Sequence, residues 1–294
     1  MRLSTIHLSG AEVAAVHVDT GLVPVPSLGG DHPHTLLALI EAGLSGERRR
    51  DLQARAAEHA DRALDADSVR YGPLYRRPRK IWGIGLNYRS HAEDLHEEHP
   101  DEPASFVKGD HTIIGPGEDI VLPPQSSHVT AEAELGLIFG TECRDVEEAD
   151  ALSYLVGVCP ILDQTAIDIL QRNPRFLTRS KNFPSFFSFG PVLVTLDEVL
   201  GEDGTLDHLQ VGTYRNGEVY REDVVAGMGH GPQSLISLHS KVMPMYPGDI
   251  ISSGSPGGVR VEHGDLAECR IPGVGTLTNP VVRPEPAHDA VAAG

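Results

Sequence analysis

The sequence predicts a β-rich α+β fold, and two observations support this prediction. After Lys80 the chain consists of short apolar runs broken by Gly, Pro and Asp, a pattern typical of strands joined by turns. Helical spacing of apolar residues is rare in the same part of the chain. The predicted strands are Ile81–Leu86, Ile120–Leu122, Glu134–Phe139, Val192–Thr195, Leu209–Arg215 and Asp249–Ser252, and the predicted helices are Glu147–Tyr154 and Gln164–Gln171. Such a pattern favours a barrel, a sandwich or a roll.

The first 75 residues differ from the rest. Residues 2–8 and 12–18 predict two strands that open the chain. Thr35–Ala42 predicts a short helix, and Ser45 is the predicted N-cap of a second helix that reaches about Leu64. We therefore expect a small N-terminal α+β domain at 1–75, a larger catalytic domain at 76–283 and a flexible tail at 284–294.

The composition is that of a globular protein with a large core. The chain has 294 residues, of which 40% are hydrophobic and 22% charged. Its net charge of −18 disfavours binding to nucleic acid or to an anionic membrane surface. The sequence contains no run of 18 apolar residues that would span a membrane. We expect neither nucleic acid nor a membrane as a partner.

The cysteines predict a reducing compartment. Cys143, Cys159 and Cys269 are odd in number, scattered, and form no CxxC pair. Residues 1–19 also lack the apolar core of a signal peptide. A cytoplasmic location is the resulting expectation.

Glu132-Ala133-Glu134 is the most informative stretch. It lies in an alternating segment, residues 129–140, that predicts a strand, so both glutamates point to the same side. Two adjacent carboxylates repel each other unless a cation lies between them, and oxygen ligands suit Mg²⁺, Mn²⁺ or Ca²⁺. An ordinary half-exposed strand with both glutamates in water has the same pattern.

Three other residues are candidates for chemistry. His91 and Asp94 would be neighbours on a helix, and a carboxylate beside an imidazole prepares a general base. Asp163 ends an apolar run, which predicts an aspartate at the exit of a buried strand. Each also has a plainer interpretation: a surface histidine, a solvated acidic run, and a turn-forming aspartate. The polar stretch from His91 to Pro103 is typical of a mobile lid.

Lys181 has the same ambiguity, because a lysine in Arg179-Ser180-Lys181 could neutralise an enolate or simply lie at the surface. The order of the motifs along the chain favours the functional interpretation. They are Gly85-Leu86-Asn87-Tyr88 with His91, Phe106-Val107-Lys108, Gly115-Pro116, Glu132-x-Glu134-Leu135, Asp163, Ser180-Lys181-x-Phe183, Gly190-Pro191, Asn216-Gly217, Pro247-Gly248-Asp249 and Gly254-Ser255-Pro256-x-Gly258-Val259. From about Arg79 to Val282 this series closely resembles the fumarylacetoacetate hydrolase family.

The resemblance implies a catalytic domain of the mixed β-sandwich roll type, usually in a homodimer. It implies a divalent cation, Mg²⁺ above Mn²⁺ or Ca²⁺, held by Glu132, Glu134 and Asp163. It also implies that His91 and Asp94 activate water and that Lys181 stabilises charge. Lys108, Gly254 and Ser255 match positions that line the substrate pocket.

The expected function is a metal-dependent hydrolase that cleaves a C–C bond in a 2-oxo or 1,3-dicarbonyl carboxylic acid. A metal-chelated 2-oxo acid is an electron sink, so a decarboxylase or a keto–enol isomerase of a 2-oxo acid is the alternative. A family member that binds metal or ligand without catalysis is a further alternative.

Three features depart from the family pattern. Asp94 stands where glutamate is usual, and Ile167 stands where many members carry an arginine that helps to hold the acid group of the substrate. The usual Thr-Gly-Thr-Pro turn is Ser253-Gly254-Ser255-Pro256. The loss of the arginine predicts a substrate that is less acidic or differently held.

Overall fold

A computed structural model describes residues 1–44, 46–89 and 101–284. Within these residues strands dominate and helices are short, which confirms the β-rich α+β class. The strands are β1 (Arg2–Leu8), β2 (Ala11–Val18), β3 (Gly21–Pro24), β4 (Ile81–Gly85), β5 (Ala104–Lys108), β6 (Ile113–Ile114), β7 (Ile120–Val121), β8 (Val129–Phe139), β9 (Leu155–Ala166), β10 (Phe187–Phe189), β11 (Val192–Thr195), β12 (Gln210–Arg215), β13 (Glu218–Val224), β14 (Ile250–Ser252), β15 (Gly258–Val261), β16 (Leu266–Ile271) and β17 (Gly275–Val282). The α-helices are α1 (Leu36–Glu41), α2 (Gly46–Glu58), α3 (Glu148–Ala151), α4 (Ile167–Arg172), α5 (Leu177–Lys181), α6 (Leu196–Val199) and α7 (Pro232–Val242).

Two sheets form the core of the described chain. The larger has the strand order β3-β2-β1-β11-β9-β8-β14-β4-β5, with β6, β10 and β15 alongside, and the smaller has the order β13-β12-β16-β17-β7. The main apolar cluster combines side chains from β8 and β9 with side chains from β12, β16 and β17. The smaller sheet therefore covers one face of the central β8–β9 pair, and the opposite face is shared by a second apolar cluster, which includes Ile138 and Ile161, and by the site.

Strands β8 and β9 are the longest, and they pair with each other along almost their whole length. On its other side β8 pairs with two short strands in succession. Its end near Ile138 pairs with β14, and its start near Val129 pairs with β15. The turn formed by residues 253–257 joins these two strands and so lies beside the middle of β8.

The N-terminal strands extend the larger sheet, because β1 pairs antiparallel with β11 through Arg2↔Val194. Helix α1 lies within the predicted helix Thr35–Ala42, and Thr35 is its N-cap, since the Thr35 hydroxyl accepts a hydrogen bond from the Ala38 N–H. Helix α2 ends at Glu58, short of the predicted Leu64, because Leu64 forms a β-bridge with Leu22. Ser45, its predicted cap, lies outside the described residues. The domain division at residue 75 stays a prediction.

One predicted helix is wrong over its first three residues. Residues 164–166 belong to β9, and α4 begins only at Ile167. Thr165 pairs with Thr130 on β8 and is buried, so cross-strand pairing outweighs the local helical pattern. Asp163 therefore lies inside a strand and not at its exit. Helix α7 was not predicted, since its buried face includes Ser237, His239 and Ser240 and is only partly apolar.

The three cysteines are free and buried. Among the described helices we find none with the length and apolar character needed to cross a membrane.

Candidate metal and substrate site

The register of β8 on β9 brings the three predicted metal ligands together. Glu132 lies directly opposite Asp163, and Glu134 lies two residues further along β8 on the same face. One carboxylate oxygen from each of the three residues lies within 4.8 Å of the others. The Glu132 side chain is only 13% exposed and Glu134 is fully buried, which excludes a solvent-facing strand. The arrangement is a cluster of oxygen ligands built on two paired strands.

Glu134 is fully buried, and only one of its two carboxylate oxygens is hydrogen-bonded among the described residues. Its Oε2 accepts hydrogen bonds from the Ser252 hydroxyl at 2.5 Å and from the Gly254 N–H at 2.9 Å. Its Oε1 has no hydrogen-bond partner among the described residues. Burial, followed by the like charge of Asp163, raises the pKa of Glu134 to about 8. A buried carboxylate oxygen with no donor has the environment of a cation ligand.

Two buried lysines lie against the carboxylates. The Lys181 ammonium donates to Glu132 Oε2 at 2.7 Å and to Asp163 Oδ2 at 2.8 Å. The Lys108 ammonium donates to Asp163 Oδ1 and to the Lys181 carbonyl, both at 2.5 Å. Lys181 is only 4% exposed and Lys108 only 2%, so the surface interpretation of Lys181 is wrong.

The two lysines differ in how strongly they hold their protons. Burial lowers the pKa of Lys108, and Asp163 only partly offsets this effect. Burial also acts against the charged form of Lys181, but Asp163, Glu132 and Glu134 outweigh it and raise its pKa. Lys181 is therefore a fixed positive charge at the centre of the cluster.

Two threonines orient Glu132. The Thr165 hydroxyl donates to Glu132 Oε1 at 2.9 Å, and the Thr130 hydroxyl donates to the same oxygen at 3.2 Å. Neither threonine was predicted as a site residue. Their positions in the sequence could have indicated this role. Thr130 is two residues before Glu132 and Thr165 is two residues after Asp163, and alternate residues of a strand share a face.

The carboxylate cluster fits a divalent cation. Carboxylate oxygens are the ligands that Mg²⁺, Mn²⁺ and Ca²⁺ prefer, and the unbonded Glu134 Oε1 is buried at the same point. With three acidic side chains and two lysines, the charged forms of these groups give the cluster a net negative charge. A divalent cation would make that net charge positive and so create an electrophilic site for an anionic ligand.

Glycine is required at position 254. Gly254 has φ +92°, and a Cβ there would lie 2.7 Å from the Asn87 Cβ. Asn87 fixes the turn, since its amide donates to Ser253 O at 2.7 Å and to His230 O at 3.0 Å. This turn positions the Gly254 N–H to donate its hydrogen bond to Glu134. Asn87 is thus a supporting residue that lies within a recognised motif but was not predicted to have this role.

The remaining predicted site residues are Ser255, His91 and Asp94. The Ser255 hydroxyl is bonded within its own turn, donating to Gly257 O and accepting from Gly257 N, each at 3.1 Å. His91 and Asp94 lie outside the described residues, as does most of the predicted lid. Their roles stay predictions from the sequence.

Substituting Gly258 tests the packing of the site. Gly258 pairs with Glu132, and a Cβ there would lie 2.9 Å from the Glu132 Cγ. We expect Gly258→Ala to displace Glu132 and weaken divalent-metal binding, measured by calorimetry, by about 10- to 100-fold, as changes around metal ligands typically do. Gly85→Ala is the control, since its added Cβ meets nothing closer than 3.6 Å. Equal affinities in the two variants would contradict the expectation.

Comparison with known proteins agrees with this geometry. Residues 80–282 match the family model described as fumarylacetoacetate (FAA) hydrolase C-terminal. The chain is 31% identical over 259 residues to mitochondrial oxaloacetate tautomerase FAHD2A of Homo sapiens, an alignment that covers 85% of this chain and 80% of that protein. It is 34% identical over 204 residues, 69% of this chain and 83% of the other, to an uncharacterized protein of Methanocaldococcus jannaschii.

Solved structures share the fold. The 5-carboxymethyl-2-hydroxymuconate delta-isomerase of Mycobacterium smegmatis superposes with a TM-score of 0.74 at 27% identity, covering 97% of this chain and 100% of that one. Maleylpyruvate hydrolase of Sphingobium sp. SYK-6, solved with manganese(II) and pyruvate, gives a TM-score of 0.78 at 23% identity with the same coverage. The roll predicted from the sequence is the fold of these proteins.

Proposed function

The chain belongs to the fumarylacetoacetate hydrolase family, and from that premise we propose that it is a divalent-metal-dependent enzyme that interconverts the keto and enol forms of a 2-oxo carboxylic acid. The observation that carries the proposal is the cluster of Glu132, Glu134 and Asp163 with Lys181 bound to two of its members. Mg²⁺ is the ion we expect, with Mn²⁺ or Ca²⁺ as alternatives.

The described residues suit a reaction in which negative charge builds up on a carbonyl oxygen. When bound, the divalent cation would act as a Lewis acid on the 2-oxo carboxylate end of the substrate. Lys181 supplies a second positive charge that is already fixed by two carboxylates, so it needs no rearrangement as the charge develops. Lys108 holds Asp163 and the Lys181 carbonyl in place.

Proton transfer at the carbon next to the carbonyl requires a base. The sequence predicts that His91 is this base and that Asp94 orients it. Asn87 anchors the chain four residues before His91, because its amide binds Ser253 O and His230 O. Asn87 would thus hold the described part of the chain that precedes the predicted base.

The relatives favour tautomerisation over the C–C hydrolysis that we expected from the sequence. Oxaloacetate tautomerase FAHD2A is similar over most of this chain, and an isomerase shares its fold at 27% identity. Hydrolysis remains the second candidate, because the predicted His91–Asp94 pair is suited to activating water. Decarboxylation of the same acid is a further variant of the reaction.

A substrate panel separates these reactions. The purified protein is stripped of metal with a chelator, resupplied with Mg²⁺, Mn²⁺ or Ca²⁺, and given oxaloacetate and acetylpyruvate. We expect metal-dependent acceleration of oxaloacetate keto–enol equilibration, followed by ultraviolet absorbance, with neither CO₂ nor acetate released. Acetate from acetylpyruvate would establish hydrolysis instead, and CO₂ would establish decarboxylation. Metal binding without turnover across a broad 2-oxo acid panel would point to a non-catalytic family member.

The homodimer and the cytoplasmic location stay predictions. The proposed partner is a small 2-oxo acid, and the net charge of −18 gives no reason to expect nucleic acid.

A further inference from the structure

A row of side chains crosses the site face of the sheet just beyond the carboxylate cluster. Thr130 pairs with Thr165 on one side and with Arg260 of β15 on the other, so all three side chains lie on one face. The alternation of β15 agrees, because Val259 and Val261 point into the core on the opposite face. Arg260 therefore projects on the same side as Glu132, one strand away from Thr130.

The guanidinium of Arg260 is held only weakly. The Arg260 side chain is 54% exposed and pairs at 3.1 Å with Glu262, which is itself 66% exposed. Exposed pairs of this kind contribute little to stability, so a ligand carboxylate could replace Glu262 readily. The backbone of Arg260 is fixed by its pairing with β8 and by the Arg215 guanidinium, which donates to the Arg260 carbonyl at 2.9 Å. A fixed backbone with an available guanidinium suits a ligand-binding arginine.

The two residues that share a row with Arg260 on β8 and β9, Thr130 and Thr165, carry no charge. Among the described residues, the ladder between β8 and β9 ends one pair beyond the two threonines, and past its end the Ile167 N–H donates to the His128 carbonyl at 2.9 Å. Arg260 therefore supplies a permanent positive charge one row away from Glu132, in addition to the lysines bound to the carboxylates.

We propose that Arg260 binds a second carboxylate of the substrate and so selects 2-oxo dicarboxylic acids. This inference rests on the proposed function, in which the 2-oxo acid end of the substrate lies at the cluster. Thr130 lies two residues from Glu132, about 7 Å along the strand, and neighbouring strands are about 4.8 Å apart. A short dicarboxylate spans that separation, with one end at the carboxylate cluster and the other at Arg260. A bidentate guanidinium–carboxylate pair would then set the specificity.

The test compares two ligands that differ only in the distal carboxylate. Binding of 2-oxoglutarate and of 2-oxopentanoate to the metal-loaded protein is measured by calorimetry for the wild type and for Arg260→Ala. We expect the wild type to prefer 2-oxoglutarate by about 10- to 100-fold, the range for a hydrogen-bonded charge, and Arg260→Ala to lose that preference while its affinity for 2-oxopentanoate is unchanged. Arg260→Lys should retain part of the preference, since it keeps the charge and loses the planar fork.

Two controls sharpen the result. Arg144→Ala removes an exposed arginine elsewhere and should leave both affinities unchanged. Glu262→Gln removes the carboxylate that now pairs with Arg260 and should preserve or increase the preference for 2-oxoglutarate. A wild type without preference, or an Arg260→Ala variant that keeps it, would overturn the role of Arg260 alone. Failure of both ligands to bind the metal-loaded wild type would overturn the proposed function and this inference with it.

Discussion

Glu134→Gln is expected to abolish tight metal binding and, at pH 8, to stabilise the metal-free protein. Glutamine keeps an oxygen for the Ser252 hydroxyl and the Gly254 N–H but removes a ligand charge. We expect metal affinity to fall by more than about 100-fold, since changes to mere supporting partners already cost 10- to 100-fold. Turnover should fall with it.

The stability effect follows from the pKa of Glu134, which burial raises to about 8. A raised carboxyl pKa means that between about pH 4.5 and 8 the folded metal-free protein binds the proton more tightly than the unfolded chain does. The contribution of Glu134 to stability therefore decreases as pH rises through that interval and is lowest at and above pH 8. Glutamine does not titrate, so its contribution to stability does not decrease with pH. The stability of the variant relative to the wild type should therefore increase as pH rises.

Thermal unfolding of both metal-free proteins from pH 5 to pH 9 measures this difference, and calorimetry measures metal affinity. Glu268→Gln is the matched control, because Glu268 is also buried but pairs with Arg270 in the smaller sheet. It should lose stability and leave metal binding unchanged. Tight metal binding by Glu134→Gln would remove Glu134 from the ligand set.

Lys181→Met is expected to separate metal binding from catalysis. Methionine fills a similar volume but removes the ammonium that contacts Glu132 and Asp163. Loss of a positive charge beside the cluster should leave divalent-metal affinity equal or higher, because the two cations repel each other. Turnover should fall by about 100- to 1,000-fold, the usual effect of removing one fixed group that stabilises developing negative charge.

Two quantities are measured for each variant: metal affinity by calorimetry, and the turnover rate with the substrate that the panel identifies. Lys241→Met is the matched control, since Lys241 is 43% exposed and pairs with Glu147 on the surface. Turnover close to that of the wild type in Lys181→Met would mean that Lys181 is structural. A lost metal site would mean that it organises the carboxylates and does not compete for them.

The sequence predicted those strands whose signals are local. Val192–Thr195 has the bounds of β11, because a β-branched run follows directly after a Gly-Pro pair. Residues 164–166 were misassigned, since their strand conformation depends on pairing with β8, which lies more than 20 positions earlier. Helix α7 was missed because polar side chains fill part of its buried face.

The metal ligands could be predicted because their spacing and order along the chain are visible in one dimension. The residues that position these ligands could not be predicted in the same way. Thr165 acts on Glu132 through cross-strand register, and Asn87 acts on Ser253 from more than 160 positions away. The burial of Lys108 and Lys181 also arises from tertiary packing, so the sequence left a surface lysine as an alternative for Lys181.

The way in which β14 and β15 share the edge of β8 has an evolutionary consequence. The metal ligands are on β8 and β9, whereas Arg260 is on β15, a four-residue strand joined to β14 by the turn of residues 253–257. Gly258 of that short strand lies against Glu132, but Arg260 pairs with Thr130, which is not one of the three carboxylate residues. A mutation at position 260 can therefore change the contact to the far end of a substrate while the three carboxylates stay in place, so relatives can keep one chemistry while exchanging substrates.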